Sequence, residues 1–194
     1  MVGSAIRQLI EAPLKRRQVK WFEEVRQLVL DHEATLTRLA AQDPQRLDEV
    51  LSVIAMSYSA AVRTHIEEKR AMLLKAIENT IVRDTDFDLL SYFVRLIEDF
   101  QPVHMKVLKA YEFPEPLYER KVAEIYQDKG TDVYIGRLVV VDNPKLSIYV
   151  EAAEQELESR SLIARNGTTK IKSGEIVLRG CLTELGRLFL DHIQ

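Results

Sequence analysis

The sequence predicts a mainly α protein, in which an N-terminal helical bundle is followed by a small winged-helix-like α+β domain with a β-hairpin wing. The first observation is that Gln45–Val82 contains no glycine or proline and is rich in residues that lose little entropy in a helix. The second is that a helical segment, Leu146–Ile163, precedes two β-prone runs, Thr168–Ile171 and Glu175–Arg179, and then the closing segment Leu182–Phe189. Because helix-turn-helix proteins place one helix in the major groove, this order also raises a question of function.

The N-terminal helices are predicted from apolar periodicity and from the breaks between helical runs. Pro13 to about Ala41 carries one apolar stripe, and Pro13 is placed in the first turn, where its missing N–H costs nothing. Asp43 is expected to cap the next helix. Gln45–Val82 is interpreted as one long helix or two abutting helices, with a weak point near Ser57–Ser59. The residues of the stripe are Trp21, Val25, Leu28, Val29, Leu36 and Leu39.

Two further helices and a domain boundary are predicted next. The polar residues Arg83–Asp86 precede an amphipathic helix, and another helix begins at Pro102. Phe113–Pro116 is the boundary, because its two prolines disfavour helix in the residues before them. The helical region is therefore residues 1–112, and the winged-helix-like domain is residues 113–194. The apolar positions of the amphipathic helix are Leu90, Phe93, Val94, Ile97 and Phe100.

Composition and charge limit the possible classes of function. With 46% hydrophobic and 29% charged residues the chain resembles an ordinary globular protein, and its net charge of −3 gives no general attraction to nucleic acid or anionic lipid. The single cysteine, Cys181, excludes an internal disulfide and favours a reducing compartment. No segment approaches the ~20 apolar residues that span a membrane, and Met1–Ile10 is too short and too polar for a signal peptide. A cytoplasmic protein without an integral membrane span is expected.

The sequence contains no motif for metal, nucleotide or nucleophilic chemistry. None of the four histidines has the Glu-x-x-His spacing of di-iron bundles, and no His-Glu-x-x-His, Gly-x-Ser-x-Gly or glycine-rich phosphate loop occurs. Cys181 is interpreted as a small packed residue and not as a nucleophile. The sequence therefore predicts a protein that is not an enzyme, with no catalytic residue, no metal and no cofactor.

The helix that would enter a DNA groove is acidic. Its charged residues are Glu151, Glu154, Glu156, Glu158 and Arg160. Because phosphates would repel this helix, DNA binding is disfavoured and docking of an unknown protein partner is preferred. A purely structural cap on the bundle is the other alternative. If DNA is bound, phosphate contacts are predicted at the wing residues Arg165, Lys170, Lys172 and Arg179.

The strongest local charge feature is the basic run Lys15–Lys20, which precedes Trp21 and Phe22. A basic and aromatic surface could bind a membrane. Two glutamates follow at once and can pair with the basic residues at helical spacing, so a solvated helix face is the preferred interpretation. The apolar stripe from Trp21 to Leu39 also suits a homodimer, although such a stripe more often belongs to a core.

Four sets of residues, spread over nearly the whole chain, together resemble a known family. They are Pro13-Leu14…Arg16-Arg17…Trp21; Glu67-Glu68-Lys69…Leu73…Ala76…Asn79; Phe93-Val-Arg-Leu-Ile97…Pro102-Val-His104; and Leu157-Glu-Ser-Arg-Ser-Leu-Ile163…Leu182-Thr-Glu-Leu-Gly-Arg187. Together they resemble an uncharacterised family of bacterial proteins, some of which are similar to phage abortive-infection proteins. The resemblance implies no catalytic residue, and His104, a possible polar site, is expected to cap a helix or to pack in the interior. In that family an apolar segment often precedes the first set, so this chain is expected to be a shorter relative or to lack that segment.

The function expected from these observations is that of a non-enzymatic interaction or regulatory protein of a bacterial cytoplasm. The first alternative is a winged-helix transcriptional regulator that binds DNA. The second is a membrane-associated defence or stress component that is anchored through Lys15–Trp21.

Overall fold

The computed structural model describes residues 2–112, 133–140, 147–170 and 177–194. It confirms a mainly α protein with a small β-hairpin near the C-terminus. The chain forms two compact units: the first unit is Met1–Asp99 with His192–Gln194, and the second unit is Phe100–Asp191. The predicted boundary at Phe113–Pro116 lies outside the described residues.

The first unit contains α1 (Val2–Asp31), α2 (Glu33–Gln42), α3 (Pro44–Arg63), α4 (Glu67–Val82) and α5 (Phe87–Asp99). The second unit contains α6 (Pro102–Glu112), β1 (Val133–Tyr134), α7 (Ile135–Val140), α8 (Ser147–Ser159), β2 (Ile163–Lys170), β3 (Val177–Leu182) and α9 (Glu184–Ile193), of which the last two residues belong to the first unit. The predicted amphipathic helix is confirmed as α5, and the helix predicted to begin at Pro102 is confirmed as α6.

The core of the first unit lies where α1 packs on α3 and α4, and where α3, α4 and α5 pack on one another. Trp21 of α1 is 1% exposed and Val25 is also buried, whereas the later stripe residues from Leu28 to Leu39 are half-buried. The stripe therefore faces the interior of its own unit at its Trp21 end. A homodimer through the whole stripe would have to expose that buried tryptophan.

Two predictions about helix boundaries in the first unit are wrong. Pro13 lies inside α1 and not in a first turn, and the helix continues past it at the cost of the hydrogen bond that its nitrogen cannot donate. α3 runs unbroken through Ser57–Ser59 and ends at Arg63. The break comes where Thr64 becomes extended and its hydroxyl accepts a hydrogen bond from the Ile66 N–H at 3.1 Å. Such local side-chain bonds compete with helix.

Buried polar side chains of the first unit end its helices. The Arg46 guanidinium donates to the carbonyls of Thr80 and Arg83 at the end of α4, at 2.9 and 2.7 Å, and to that of Thr85 at 3.1 Å. The Lys69 ammonium donates to the Glu98 carbonyl at the end of α5, at 2.7 Å. The carbonyls of Thr80 and Glu98 lie in the last turns of α4 and α5, where a carbonyl has no partner within its helix, and cations also interact favourably with a helix C-terminus.

The start of α3 confirms one predicted cap. The Asp43 carboxylate accepts from the Arg46 N–H at 3.0 Å, and Pro44 occupies the first helical position, where its missing N–H costs nothing. The same short segment therefore begins α3 and ends α4, because the Arg46 backbone serves one helix and its side chain serves the other.

In the second unit, β2 and β3 form the predicted hairpin, with Ile163 opposite Leu182 and Lys170 opposite Val177. Both strands extend beyond the predicted runs, toward α8 on one side and toward α9 on the other. The short strand β1 adds to β3 in parallel and gives the sheet order β1-β3-β2. The turn predicted at Lys172-Ser173-Gly174 lies outside the described residues.

The corner between α8 and β2 is fixed by hydrogen bonds. Ser161 has a left-handed backbone, with φ of 60°, and the Leu162 N–H donates to the Leu157 carbonyl at 2.9 Å. This is a Schellman motif, which satisfies the last carbonyls of α8. The Thr183 hydroxyl donates to the Leu162 carbonyl at 2.9 Å and accepts from the Gly186 N–H at 3.0 Å, so it also begins α9. The predicted start of the closing helix is therefore tied to the end of α8.

Candidate interaction surface

α8, the helix that a winged-helix protein would use for recognition, has one buried and one exposed face. Val150, Ala153 and Leu157 recur at i, i+3 and i+7 and are buried. Ile148 is 77% exposed and Tyr149 is 64% exposed, at the N-terminal end of the helix. The exposed face continues through Glu151, Ala152, Gln155 and Ser159. This face is apolar and neutral-polar, with a carboxylate at Glu151.

Glu154 of α8 is turned inward. Glu154 is 7% exposed, and its carboxylate accepts a hydrogen bond from the Tyr111 hydroxyl of α6 at 2.6 Å. Burial, together with the bond to Glu154, raises the pKa of Tyr111, so the phenol remains the donor at all physiological pH values. A buried carboxylate needs such a donor, because an unpaired charge in the interior is costly. The sequence predicted Glu154 as part of an acidic surface, and that prediction is wrong.

Two glycines make room for this buried pair. A side chain at Gly136 of α7 would overlap the Glu154 carboxylate. Gly180 of β3 has φ of 105°, a conformation that other residues rarely adopt, and a side chain there would meet the Tyr111 ring. Elements α6, α7, α8 and β3 therefore all meet at the Tyr111–Glu154 pair.

Glu156 of α8 contacts the His104 ring and the Arg160 guanidinium. One carboxylate oxygen is 3.0 Å from the His104 Nε2, and the other accepts from the Arg160 guanidinium at 3.0 Å. The His104 ring stacks on Phe100 with 5.0 Å between centroids, and the Arg160 guanidinium lies over the same ring at 5.5 Å. Glu158 is also engaged, because its carboxylate accepts from the Arg165 N–H at 3.3 Å.

Both ring nitrogens of His104 are used within the fold. Its Nδ1 accepts from the Gln101 N–H at 3.0 Å, which makes His104 the third residue of α6 reaching back to the residue before the helix, as in a capping box. Since Nδ1 accepts, Nε2 must carry the proton and donates it to Glu156. His104 has no free lone pair for proton abstraction in this arrangement, and it serves as a helix cap and a link from α6 to α8.

The predicted phosphate contacts are only partly described. Arg165 lies on β2, half-buried, and its positive charge acts on the buried Tyr111. Lys172 lies outside the described residues, and only the backbone of Lys170 and Arg179 is described, on β2 and β3. Of the four predicted phosphate contacts, only Arg165 therefore has a described side chain.

The other candidates from the sequence are placed inside the fold. Cys181 lies on β3, half-buried, and its sulfur is so close to Gly167 of β2 that a side chain at that glycine would overlap it. In the basic segment, Arg17 donates to the Val62 carbonyl at 3.2 Å, and Lys20 pairs with Glu67 at 2.8 Å and with Glu24 at 3.8 Å. The Lys20–Glu24 pair confirms the predicted helical spacing.

No group of three or more histidine, cysteine, aspartate or glutamate side chains in the described part of the chain could hold a metal ion. Nor does any helix there combine the length and the apolar character needed to cross a membrane. No known protein family, curated protein or solved structure matches this chain.

Sequence reasoning missed Ile148 and Tyr149 as surface residues. A signal was present, because Val150, Ala153 and Leu157 have the spacing of one buried helix face. Ile148 and Tyr149 do not fall on that face. The inward turn of Glu154 had no such signal. It follows from a tyrosine on another helix, which periodicity cannot reveal.

Proposed function

We propose that this chain is a non-enzymatic interaction protein, and that its second unit is a winged-helix-like module that docks a protein partner on the exposed face of α8. The observation that carries the proposal is that three of the four carboxylates of α8 are bonded within the unit, while Glu151 stays on the exposed face. Glu154, Glu156 and Glu158 all bond within the unit, which leaves Ile148 and Tyr149 as its large exposed side chains. Exposed aromatic and aliphatic side chains are the usual anchors of protein interfaces.

The state of His104 supports a protein without catalytic function. A general base needs a free nitrogen at its target, and both His104 nitrogens have partners within the fold. Turnover of any substrate that is lost on both His104→Ala and His104→Gln would contradict the proposal, because a glutamine can keep a hydrogen bond but cannot transfer a proton.

DNA binding is the second candidate, since the engaged carboxylates no longer make α8 repel phosphate as strongly as its composition suggests. The exposed face of α8 still presents no lysine or arginine among Ile148–Ser159, and phosphate contacts supply most of the affinity of DNA-binding proteins. We therefore consider DNA binding less well supported than protein docking.

Membrane association is the least supported of the three functions, because Trp21 of the Lys15–Trp21 segment is buried and cannot contact lipid.

Site-specific photo-crosslinking tests the docking proposal. Tyr149 is replaced by p-benzoylphenylalanine in the full chain, expressed in the organism from which the chain comes, with the same replacement at Leu188 of α9 as the matched exposed control. A discrete protein adduct is expected from position 149, lost on Ile148→Glu, and none from position 188. Equal adducts from both positions, or none from either, would contradict docking on this face.

Fluorescence anisotropy of a labelled random-sequence DNA duplex separates the two candidates. We expect no binding even at low salt. Binding that weakens steeply with salt, and that is lost when Lys170, Lys172 and Arg179 are changed to glutamate, would favour the DNA alternative. Each phosphate contact removed should then lower the slope of log K against log salt by about 0.9.

A further inference from the structure

A second exposed surface lies on α1 in the first unit, on the side away from Trp21 and Val25. Six positions recur at spacings of three or four residues along one side of the helical path, and all of them are exposed. They are Lys15, Val19, Phe22, Arg26, Leu30 and Glu33, and this set is called the α1 row. Glu33 is the first residue of α2, which continues α1 closely, because the His32 N–H donates to the Leu28 carbonyl and its carbonyl accepts from Leu36.

Three of the four inner positions of the α1 row are apolar, where a solvated helix face would be polar. Val19 is 62% exposed and Phe22 is 59% exposed, and Leu30 is also exposed. The Phe22 ring stacks on Tyr58 of α3 with 5.2 Å between centroids, and Leu51, two turns before Tyr58, is exposed as well. The apolar surface therefore extends from α1 onto α3, which marks it as a contact surface.

The order of side chains along the α1 row is complementary to itself in reverse. We consider the row of one copy laid antiparallel on the row of a second copy. In the register where the numbers of facing residues add up to 48 or 49, Lys15 faces Glu33 and Val19 faces Leu30. Phe22 then meets Arg26, and each of these pairs occurs twice because of the twofold symmetry. The three pairs are an ion pair, an apolar pair and a cation–π pair.

We propose that two copies of this chain associate through an antiparallel pairing of their α1 rows. The occupant is a second copy because charge, apolar and aromatic positions all match in one register. A parallel pairing would place Lys15 on Lys15 and Arg26 on Arg26, with repulsion at each. The Arg26–Glu23 bond within one helix, 3.1 Å between exposed side chains, is weak enough to be exchanged for contact with Phe22 of the other copy.

Sedimentation equilibrium of the full chain over a wide concentration range tests the association. Phe22→Lys is expected to raise the dimer Kd about tenfold or more, because it removes the apolar ring and places a cation opposite Arg26 of the other copy, twice. Leu188→Lys, the same kind of change on an exposed apolar residue of the second unit, should leave Kd unchanged. A monomer at every concentration, or a dimer indifferent to Phe22→Lys, would overturn the proposal.

Charge exchange and crosslinking test the antiparallel register. Lys15→Glu and Glu33→Lys should each weaken the dimer, and the double exchange should restore it. In a Cys181→Ser background, Glu23→Cys lies near the symmetry axis and should form a disulfide-linked dimer on oxidation. Lys15→Cys should not, because antiparallel copies of that residue are about 27 Å apart along the helix. The opposite crosslinking result would overturn the proposal in favour of parallel pairing.

A membrane surface is the competing occupant of the α1 row. The full chain is therefore mixed with phosphatidylserine vesicles and sedimented. Recovery of the protein in the supernatant supports the dimer. Vesicle binding by a protein that is monomeric in solution, lost on Phe22→Glu, would overturn it in favour of lipid.

Discussion

The two units bury polar side chains for different purposes. In the first unit, Arg46 and Lys69 direct cations at backbone carbonyls, and the Asn79 amide donates to the His192 carbonyl at 2.8 Å in the same way. Each donor ends a helix. In the second unit, the buried or half-buried polar groups of α8 are carboxylates, and two of them bond to side chains of α6: Glu154 to Tyr111 and Glu156 to His104. Each such bond gives a carboxylate of α8 a partner within the unit.

Buried polar groups therefore end helices in one unit and affect surface chemistry in the other. Substitution of a side chain that donates to the last carbonyls of a helix should lower the stability of the fold without changing an exposed surface. A pair such as Tyr111–Glu154 affects both stability and the face that α8 presents, because a carboxylate without its partner would seek solvent. Substitutions in the two units should therefore differ in kind as well as in size.

The largest effect is expected from Arg46→Leu in the first unit. The change leaves the carbonyls of Thr80 and Arg83 without their donor and should lower the free energy of unfolding by about 3–4 kcal/mol. Urea denaturation measures it. Arg187→Leu, which removes an exposed arginine paired with Glu184, is the control and should change stability by less than about 0.5 kcal/mol. Equal effects of the two changes would contradict the role of Arg46.

The next effect concerns pH and His192 in the first unit. Burial, with Arg83 and Arg46 nearby, lowers the pKa of His192 to about 4 from its ordinary 6.5. As pH falls, the unfolded chain takes up this proton first, so the stabilisation is complete above pH 6.5 and is lost progressively between pH 6.5 and 4. The loss should reach about 3 kcal/mol, measured by urea denaturation across this range.

His192→Gln is the matched variant for the pH experiment. It removes the titrating ring, so the unfolding free energy of the variant should fall less steeply between pH 6.5 and 4 than that of the parent chain. Parallel curves for the two proteins would show that other groups, and not His192, control acid stability.

A smaller effect is expected from Tyr111→Phe in the second unit. The phenylalanine fills the same space but leaves the Glu154 carboxylate buried without a donor, which should cost about 2 kcal/mol. Tyr111→Phe combined with Glu154→Met removes both partners and should be closer to the parent in stability. If the effects of Tyr111→Phe and Glu154→Met on the free energy of unfolding simply added in the double variant, the two residues would not act as a pair.

The smallest effect is expected at the corner after α8. Ser161 holds a left-handed backbone without being glycine, so Ser161→Gly should raise the unfolding free energy by up to about 1 kcal/mol. Ser161→Val should lower it, because β-branched residues resist this conformation. Thermal unfolding of the three proteins gives the order, and a more stable valine variant would contradict the strain at this position.

Several elements were predictable because their signals are local. The cap at Asp43, the amphipathic helix α5 and the start of α6 at Pro102 each depend on residues within a turn or two. The passage of α1 through Pro13 and of α3 through Ser57–Ser59 was not predictable in this way, since packing of the whole helix overrides a weak local preference. The acidic surface predicted for α8 was wrong at Glu154, which is buried against Tyr111 of α6.

The fold class and the order of helices, hairpin and closing helix can be derived from the amino-acid sequence, because apolar periodicity and caps act through neighbouring residues. Which charges remain on the surface depends on contacts between elements that are distant in the sequence. Glu154 and Glu156 lie on the same helix as the exposed Glu151, and what separates them is Tyr111 and His104, more than forty residues earlier in the chain. Partners so distant in sequence leave no periodic trace, so the chemistry of the exposed face of α8 was set by folding.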